Sequence, residues 1–177
     1  MKILHISFSD SKGGASIAGY NIYKAQKLNG MKVKFLCFEK FTDDDDVIEY
    51  NQNLFQKKLR IYKQSIDRRI IKLFINDKKN SYSTGFFGSN LTKYINDFDC
   101  DIVNLHWINN SMMSIKDIGK IEKKIVWTLH DMWPFCGTEH FSYLSYYRDG
   151  YSDLSKLDIN KFVWKKKFKN FHNKINY

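Results

Sequence analysis

The feature that most constrains the fold is the apolar run from Ile125 to Phe135, which contains a His-Asp pair and the only proline of the chain. Its first five residues show no polar alternation, which is typical of a strand covered on both faces, as in a parallel sheet. Pro134 cannot donate a sheet hydrogen bond and keeps the preceding residue extended, so the strand must end before it. His130 and Asp131 then lie at the carboxyl end of a strand, where open α/β sheets place their ligand sites. Two interpretations stay equally open: a functional site, or a structural histidine beside a capping aspartate.

A strand, a glycine loop and a helix open the chain. Residues 2–8 predict a first strand, and the loop that follows contains Gly13 and Gly14. Ser16 is expected to cap a helix that runs to about Leu28. Glycines beside a helix amino terminus favour anion binding, although the dinucleotide and Walker A fingerprints are both absent. A tight turn without a ligand is the alternative interpretation.

The rest of the chain alternates between strand and helix patterns, and its last helix is expected to end without a closing strand. The further strands are predicted at 32–39, 101–107 and 125–129, and the helices at 54–75, 90–98, 114–121 and from about 157. Strand 101–107 ends in His106 and Trp107, so His106 and His130 are expected about one strand spacing apart if the strands are neighbours. The order predicts that residues 1–177 form one α/β domain with a Rossmann-like parallel sheet flanked by helices.

Composition limits the cellular setting. A chain of 177 residues with 43% hydrophobic content is long enough and apolar enough to form one domain with a hydrophobic core. Three widely spaced cysteines argue against a disulfide scaffold or a structural zinc site and favour a reducing, cytoplasmic setting. The apolar run at the start is too short for a signal peptide or a membrane span.

The net charge of +10 is concentrated in two segments. Residues 55–79 carry nine Lys and Arg against two Asp, and residues 155–177 carry seven Lys against one Asp. The first segment is an amphipathic helix whose basic side suits plain solvent first, and the surface of an anionic membrane second. Nucleic-acid binding ranks lower because no recognised motif accompanies the charge.

Three stretches of the chain resemble the amino-terminal part of family 4 glycosyltransferases of the bacterial polysaccharide-synthesis type. They are MKILHISFSDSKGGASIAGYNIYKAQKLNG, then DIVNLHWINNSMMSI with KKIVWTLHDMWPFCGTEHF, and more weakly the segment from Asp158 to Lys166. The resemblance implies one half of a GT-B fold, in which two Rossmann-like domains face each other across a cleft. It implies a retaining, usually metal-independent transfer of sugar from a nucleotide-sugar to a glycan or lipid-linked acceptor, with no other cofactor.

The resemblance also assigns roles to residues of this chain. Gly13 and Gly14 would approach the donor phosphates, and His130 would lie near the transferred sugar with Asp131 beside it. His106 and Trp107 would line the cleft. The nucleotide-sugar domain of the family does not follow Tyr177, so this chain is expected to be inactive without a carboxy-terminal domain or subunit.

Two alternatives belong to other classes of protein. The chain can be a non-catalytic remnant that binds a glycan or a partner protein. It can also be a metal-dependent hydrolase, because His106, His130, Asp131 and His140 are residue types that ligate zinc, although their spacing matches no metalloprotease motif.

Overall fold

The computed structural model describes residues 1–50, 52–77, 80–143, 145–171 and 174–176. Its elements are β1 (Lys2–Ile6), α1 (Gly14–Leu28), β2 (Lys32–Cys37), β3 (Val47–Glu49), α2 (Leu54–Phe74), α3 (Leu91–Asp97), β4 (Ile102–Leu105), α4 (Ile115–Gly119), β5 (Lys124–Trp127), a 3-10 turn (Ser145–Tyr147), α5 (Ile159–Asn170) and β6 (Ile175–Asn176). The basic residues Lys78 and Lys79 and the last residue, Tyr177, lie outside the described residues.

The strands form one parallel sheet in the order β3-β2-β1-β4-β5-β6, flanked by helices. This α/β arrangement is Rossmann-like, as the sequence predicts. In the register of the central strands, Ile6 lies beside Leu105, and Leu105 beside Trp127. The carboxyl ends of β1, β4 and β5 are therefore level with one another along a single edge.

Each face of the sheet has its own apolar core. The larger core lies on the face of Leu4, Leu105 and Trp127, where residues of α3, α4 and α5 cover it. The smaller core lies on the opposite face, where Tyr23 of α1 packs with Phe35 and its neighbours. Because side chains alternate between the faces of a strand, His5 points into the smaller core while Leu4 points into the larger one.

The expectation that β5 is covered equally on both faces is wrong. Ile125 and Trp127 are buried, but Val126 is only half-buried and Lys124 is exposed. The reason is that α1, which covers this second face, packs over β1 and β2 rather than over β5. The strand does end well before Pro134, as the sequence requires.

Several boundaries also differ from the predictions, and β1, β2, β4 and β5 each end two residues earlier than expected. Helix α1 begins at Gly14 with Gly13 as its N-cap, so Ser16 does not cap it and is instead buried inside the helix. At the other end of the chain, residues 175–176 form β6 beside β5, whereas the sequence pattern extends the last helix through Ile175. The strand β3, which is only three residues long, was not predicted at all.

Helix α2 is amphipathic, but polar residues such as Arg60 and Lys63 face the protein beside Ile71, its one buried residue. Arg60 lies over the rings of Phe8 and Phe38, and Lys63 donates to the carbonyl of Gly88. The apolar side is largely at the surface, as exposed fractions of 72% for Phe55 and 80% for Leu73 illustrate. None of the helices in the described part of the chain combines the length and apolar character needed to cross a membrane.

Candidate functional site

The strand order places a crevice at the carboxyl edge of the sheet. The chain leaves β1 towards α1 and β2 on one side, and the sheet continues through β4 and β5 on the other. In parallel α/β sheets, ligands bind where the strand order changes direction in this way. Two cavities of about 430 and 470 Å³ lie at this point, and both are lined by Ala15, Trp107 and Asn110. Trp107 is therefore common to both cavities.

The cavity of about 470 Å³ lies over the glycine loop. Gly13 has a φ of +90°, a conformation that disfavours any other residue, and it introduces α1 without a side-chain cap. A Cβ atom added to Gly13 or Gly14 would meet no atom within 4 Å, so the space in front of the loop is open. Lys12 lines the same cavity. Backbone N–H groups and a helix amino terminus thus face one volume, together with Lys12 and with Glu39, whose carboxylate lies 3.9 Å from Lys12 Nζ.

Three histidines form a hydrogen-bonded relay from the sheet interior to the cavity of about 430 Å³. His5 Nδ1 lies 3.0 Å from His106 Nε2, and His106 Nδ1 lies 3.0 Å from His130 Nε2. At the inner end, His5 Nε2 lies 2.8 Å from Gln26 Oε1 of α1. His5 and His106 are buried, whereas His130 lines the cavity. The sequence pattern did not single out His5 or Gln26, although a histidine in a buried strand is a detectable signal.

The relay is built from neutral imidazoles. Burial, and then the proximity of His5 and His130, lowers the pKa of His106 to about 3. Burial also lowers the pKa of His5, against a smaller effect of the hydrogen bond to Gln26 that raises it. The pKa of His130 is lowered by burial, with Asp131 acting in the opposite direction. At neutral pH each ring therefore carries one proton and offers one acceptor nitrogen.

Gln26 determines the tautomer of every ring in the relay. Its Oε1 can only accept, so His5 carries its proton on Nε2 and accepts at Nδ1. His106 must then donate from Nε2 to His5 and accept at Nδ1 from Nε2 of His130. His130 is left with an unprotonated Nδ1. The ring that lines the cavity is thus set as a hydrogen-bond acceptor, suited to a hydroxyl group.

Gly19 of α1 makes room for the relay. A Cβ atom at this position would lie 2.9 Å from Cγ of His106. The helix can approach the sheet at His106 only because the side chain is absent. A glycine in the middle of a helix is a sequence signal for such a close approach.

A second network lies on the other side of the same cavity and joins Asp131, His140 and Ser83. His140 Nδ1 lies 2.6 Å from Asp131 Oδ2, and His140 Nε2 lies 3.0 Å from Ser83 Oγ. Asp131 Oδ1 accepts from the backbone N–H of Trp133 at 3.0 Å. All three members of the network line the cavity. Ser83 lies in a segment that the sequence marks only as a loop, so nothing in the pattern pointed to it.

Asp67 of α2 completes this wall of the cavity. It is hydrogen-bonded to the backbone N–H and the hydroxyl group of Thr84, the residue after Ser83. Burial raises the pKa of Asp67, although the two hydrogen bonds from Thr84 act to lower it. In the sequence, Asp67 is one of two Asp within the basic segment 55–79, and nothing in the pattern marks it as a site residue. It faces the cavity because it lies on the side of α2 that packs against the protein.

The loop that carries His140 is fastened from below by Lys167 of α5. The fully buried Nζ of Lys167 donates to the carbonyl oxygens of Trp133, Cys136 and Gly137. Three acceptors match the three N–H donors of an ammonium group, although burial lowers the pKa of Lys167 well below its ordinary value. The irregular segment after Pro134 is therefore held in a fixed position, from which it supports the site.

The four residues considered as zinc ligands do not form one ligand set. His106 and His130 belong to the relay, and Asp131 and His140 to the second network. Across residues 1–50, 52–77, 80–143, 145–171 and 174–176, no group of three or more His, Cys, Asp or Glu side chains is arranged to hold a metal ion. The three cysteines, Cys37, Cys100 and Cys136, are buried free thiols.

Comparisons with protein-family models, with curated proteins and with solved structures find no match to this chain.

Proposed function

We propose that the chain is the acceptor-side domain of a retaining, family 4-like glycosyltransferase that transfers a sugar from a nucleotide-sugar to a glycan or lipid-linked acceptor in polysaccharide biosynthesis. The observation that carries the proposal is that Gly13 and Gly14 line one cavity while His130 and Asp131 line its neighbour. Such a pair of cavities suits a substrate with phosphates at one end and a hydroxyl-rich ring at the other. Transfer requires a nucleotide-sugar domain supplied in addition to these residues.

The glycine loop has the properties needed at the phosphate end. The open space in front of Gly13 and Gly14 allows a ligand to approach the backbone closely. The amino terminus of the 15-residue helix α1 supplies unpaired N–H groups and the positive end of the helix dipole. These groups and Lys12 would stabilise the charge that develops on the leaving diphosphate.

The histidine relay has the properties needed at the sugar end. Neutral His130 with an unprotonated Nδ1 accepts a hydrogen bond from a sugar hydroxyl, and Asp131 offers a second acceptor beside it. Trp107 supplies an aromatic surface between the two cavities, and Asn109 and Asn110 add amide groups. Apolar walls with a few placed polar groups are the usual composition of a small-molecule site.

The decisive experiment reconstitutes the cleft. The purified chain is combined with a carboxy-terminal nucleotide-sugar domain of a family 4 enzyme, either fused or added separately. Sugar transfer to lipid-linked and free glycan acceptors is then followed by mass spectrometry. We expect no turnover by the chain alone, turnover by the combination, and loss of turnover with His130→Ala while the circular dichroism spectrum is kept.

Two results of that experiment would contradict the proposal. Saccharide binding without turnover in any combination would favour a non-catalytic glycan-binding remnant. Unfolding of His130→Ala would favour a structural role for this histidine. Lys124→Ala, an exposed residue at the opposite end of β5, is the matched control and should transfer sugar like the unmodified chain.

The surface of α2 supports a position at the inner face of an anionic membrane. The helix turns apolar residues outward, with basic residues on the same exposed surface. This membrane-facing set comprises Leu54, Phe55, Lys57, Lys58, Leu59, Ile61, Tyr62, Arg69, Lys72, Leu73 and Phe74. Apolar residues next to basic ones are typical of helices that bind anionic headgroups in the plane of the membrane. Such a site would bring lipid-linked acceptors close to the cleft.

A further inference from the structure

We propose that Ser83, His140 and Asp131 form a nucleophilic triad that hydrolyses short-chain carboxylic esters, an activity separate from sugar transfer. Ser83 Oγ lies 3.0 Å from His140 Nε2, and His140 Nδ1 lies 2.6 Å from Asp131 Oδ2. These are the two hydrogen bonds by which a histidine takes a proton from a serine while a carboxylate holds the ring.

The polarity of the network is the one that activates a serine. A carboxylate oxygen can only accept, so His140 carries a proton on Nδ1 and donates it to Asp131. In neutral His140, Nε2 is then the acceptor, and Ser83 donates its hydroxyl proton to it. The proton therefore lies on the serine and the lone pair on the base, as general-base activation requires.

Backbone hydrogen bonds hold Ser83 and His140 in place. The N–H of Ser83 donates to the carbonyl of Thr138 at 2.8 Å, and the N–H of His140 donates to the carbonyl of Ser81 at 2.9 Å. These bonds clamp the serine loop onto the segment that carries His140. The buried imidazole also contacts the rings of Trp107 and Trp133, with a ring-centroid distance of 6.4 Å to each. A base with a fixed ring needs little reorganisation during the reaction.

The adjoining cavity provides room and chemistry for an ester. Its volume of about 430 Å³ suits a small molecule, and Phe87, Met113 and Phe141 supply apolar surface for an acyl chain. Asn109 and Ser111 line the same volume as Ser83 and carry N–H and O–H donors. Side-chain amides and hydroxyls of this kind stabilise the negative charge on the carbonyl oxygen of an acyl-transfer intermediate.

The reaction balances with water as the only co-reactant. Ser83 Oγ attacks the ester carbonyl carbon while its proton moves to His140 Nε2. The ester C–O bond breaks, and His140 returns the proton to the departing alcohol. Water then attacks the carbonyl carbon of the acyl-serine and gives a proton to His140. The bond between this carbon and Ser83 Oγ breaks, the carboxylic acid leaves, and His140 returns the proton to Ser83 Oγ.

The test uses the purified chain and does not depend on a second domain. The chain is treated with a fluorophosphonate and, separately, with p-nitrophenyl acetate, and adducts are located by intact mass and peptide mapping. We expect one adduct on Ser83 and release of p-nitrophenol. Ser152→Ala, which removes an exposed hydroxyl outside both cavities, should react like the unmodified chain. His140→Gln should slow the reaction by about 10²–10⁴-fold.

Two outcomes would overturn the triad. One is the absence of any adduct on Ser83 in the folded chain. The other is Ser83→Ala, with unchanged circular dichroism, reacting at the rate of the unmodified chain. Because Ser83 has no part in the proposed sugar transfer, either outcome leaves that proposal standing, and a failure of sugar transfer leaves the triad standing.

Discussion

His106 Nδ1 lies 3.0 Å from His130 Nε2, and this contact connects the cleft to the interior of the sheet. Beyond His106, the relay passes through His5 to Gln26 on α1. The hydrogen-bonding state of the ring that lines the cavity is therefore set by groups that no substrate would touch. Substitution of His5 or Gln26, which a substrate would not touch, can therefore change the chemistry of the cleft.

The relay predicts acid-sensitive stability. The folded-state pKa of His106, about 3, lies below the ordinary value of 6.5, so the unfolded state binds more protons between these pH values. The free energy of unfolding should have its full value above about pH 6.5 and should decrease as the pH falls towards 3. Because one pKa unit corresponds to about 1.4 kcal/mol, His106 contributes several kcal/mol to this fall. Urea unfolding at a series of pH values measures it.

A His106→Gln variant isolates the contribution of the relay. Glutamine keeps a donor and an acceptor but does not titrate. The carboxylates with lowered pKa values, such as Asp10 and Asp46, also lose their stabilising effect in acid, and they do so in both proteins. The pH dependence should therefore be shallower in the variant. If the free energy of unfolding depends on pH in the same way in both proteins, the pKa of His106 is not lowered in the folded state.

The two loop glycines should separate fold from ligand binding. Gly13→Ala forces alanine into a φ of +90° and should cost about 1–3 kcal/mol of stability. Gly14→Ala has free space and no such strain, so stability should change by less than about 0.5 kcal/mol. Its methyl group would project in front of the loop, and we expect at least a tenfold weaker affinity for a nucleoside diphosphate in the reconstituted enzyme. Calorimetric titration and urea unfolding measure the two effects, and unchanged affinity would exclude this loop as the phosphate site.

Lys167→Met should destabilise the protein markedly. Methionine fills a similar volume but leaves the carbonyls of Trp133, Cys136 and Gly137 without this donor. A buried polar group left unpaired costs about 1–3 kcal/mol, so a loss of at least about 3 kcal/mol is expected. Lys165→Met on the exposed side of the same helix should stay within about 0.5 kcal/mol of the unmodified chain. Equal unfolding midpoints for the two variants would refute the anchoring role.

The membrane-facing set of α2 predicts binding to acidic vesicles. Replacing Leu54 and Phe55 by serine should leave the fold intact, because both side chains are exposed. Sedimentation with vesicles that contain phosphatidylglycerol should decrease severalfold, and vesicles of phosphatidylcholine alone should bind little of either protein. Leu157→Ser, at an equally exposed leucine (86%) outside α2, is the control. If both proteins sediment alike, α2 is not the contact surface.

Local patterns predicted most of the fold. The strands that become β1, β2, β4 and β5 have apolar runs that only a buried sheet explains, and the alternation with helices determines the parallel topology. The patterns do not show which side of a helix packs against the rest of the protein. The periodicity of α2 indicates two unlike sides but not which side faces the protein, and the structure turns Arg60 and Asp67 inward.

The candidate site was predictable only in part. His130 and His106 stand at strand ends, where the fold brings ligands, so their type and position together drew attention to them. His5 and Ser83 act through contacts that link residues 101 and 57 positions apart in the chain. Pairings of that range depend on the packing of the whole domain. Gly19 is a further local trace of the relay, because a helix rarely keeps a glycine in its middle without a packing reason.

The anchoring by Lys167 sets an order of events during synthesis. Gly137 and Lys167 are 30 residues apart. When the ribosome has just released β5 and its His-Asp pair, Lys167, which fixes the following loop, has not yet been released. The sheet edge can form first, while the wall that holds His140 must wait for α5 to dock. A nascent chain can therefore pair β1, β4 and β5 before it acquires either the α5 part of its larger core or a shaped cleft.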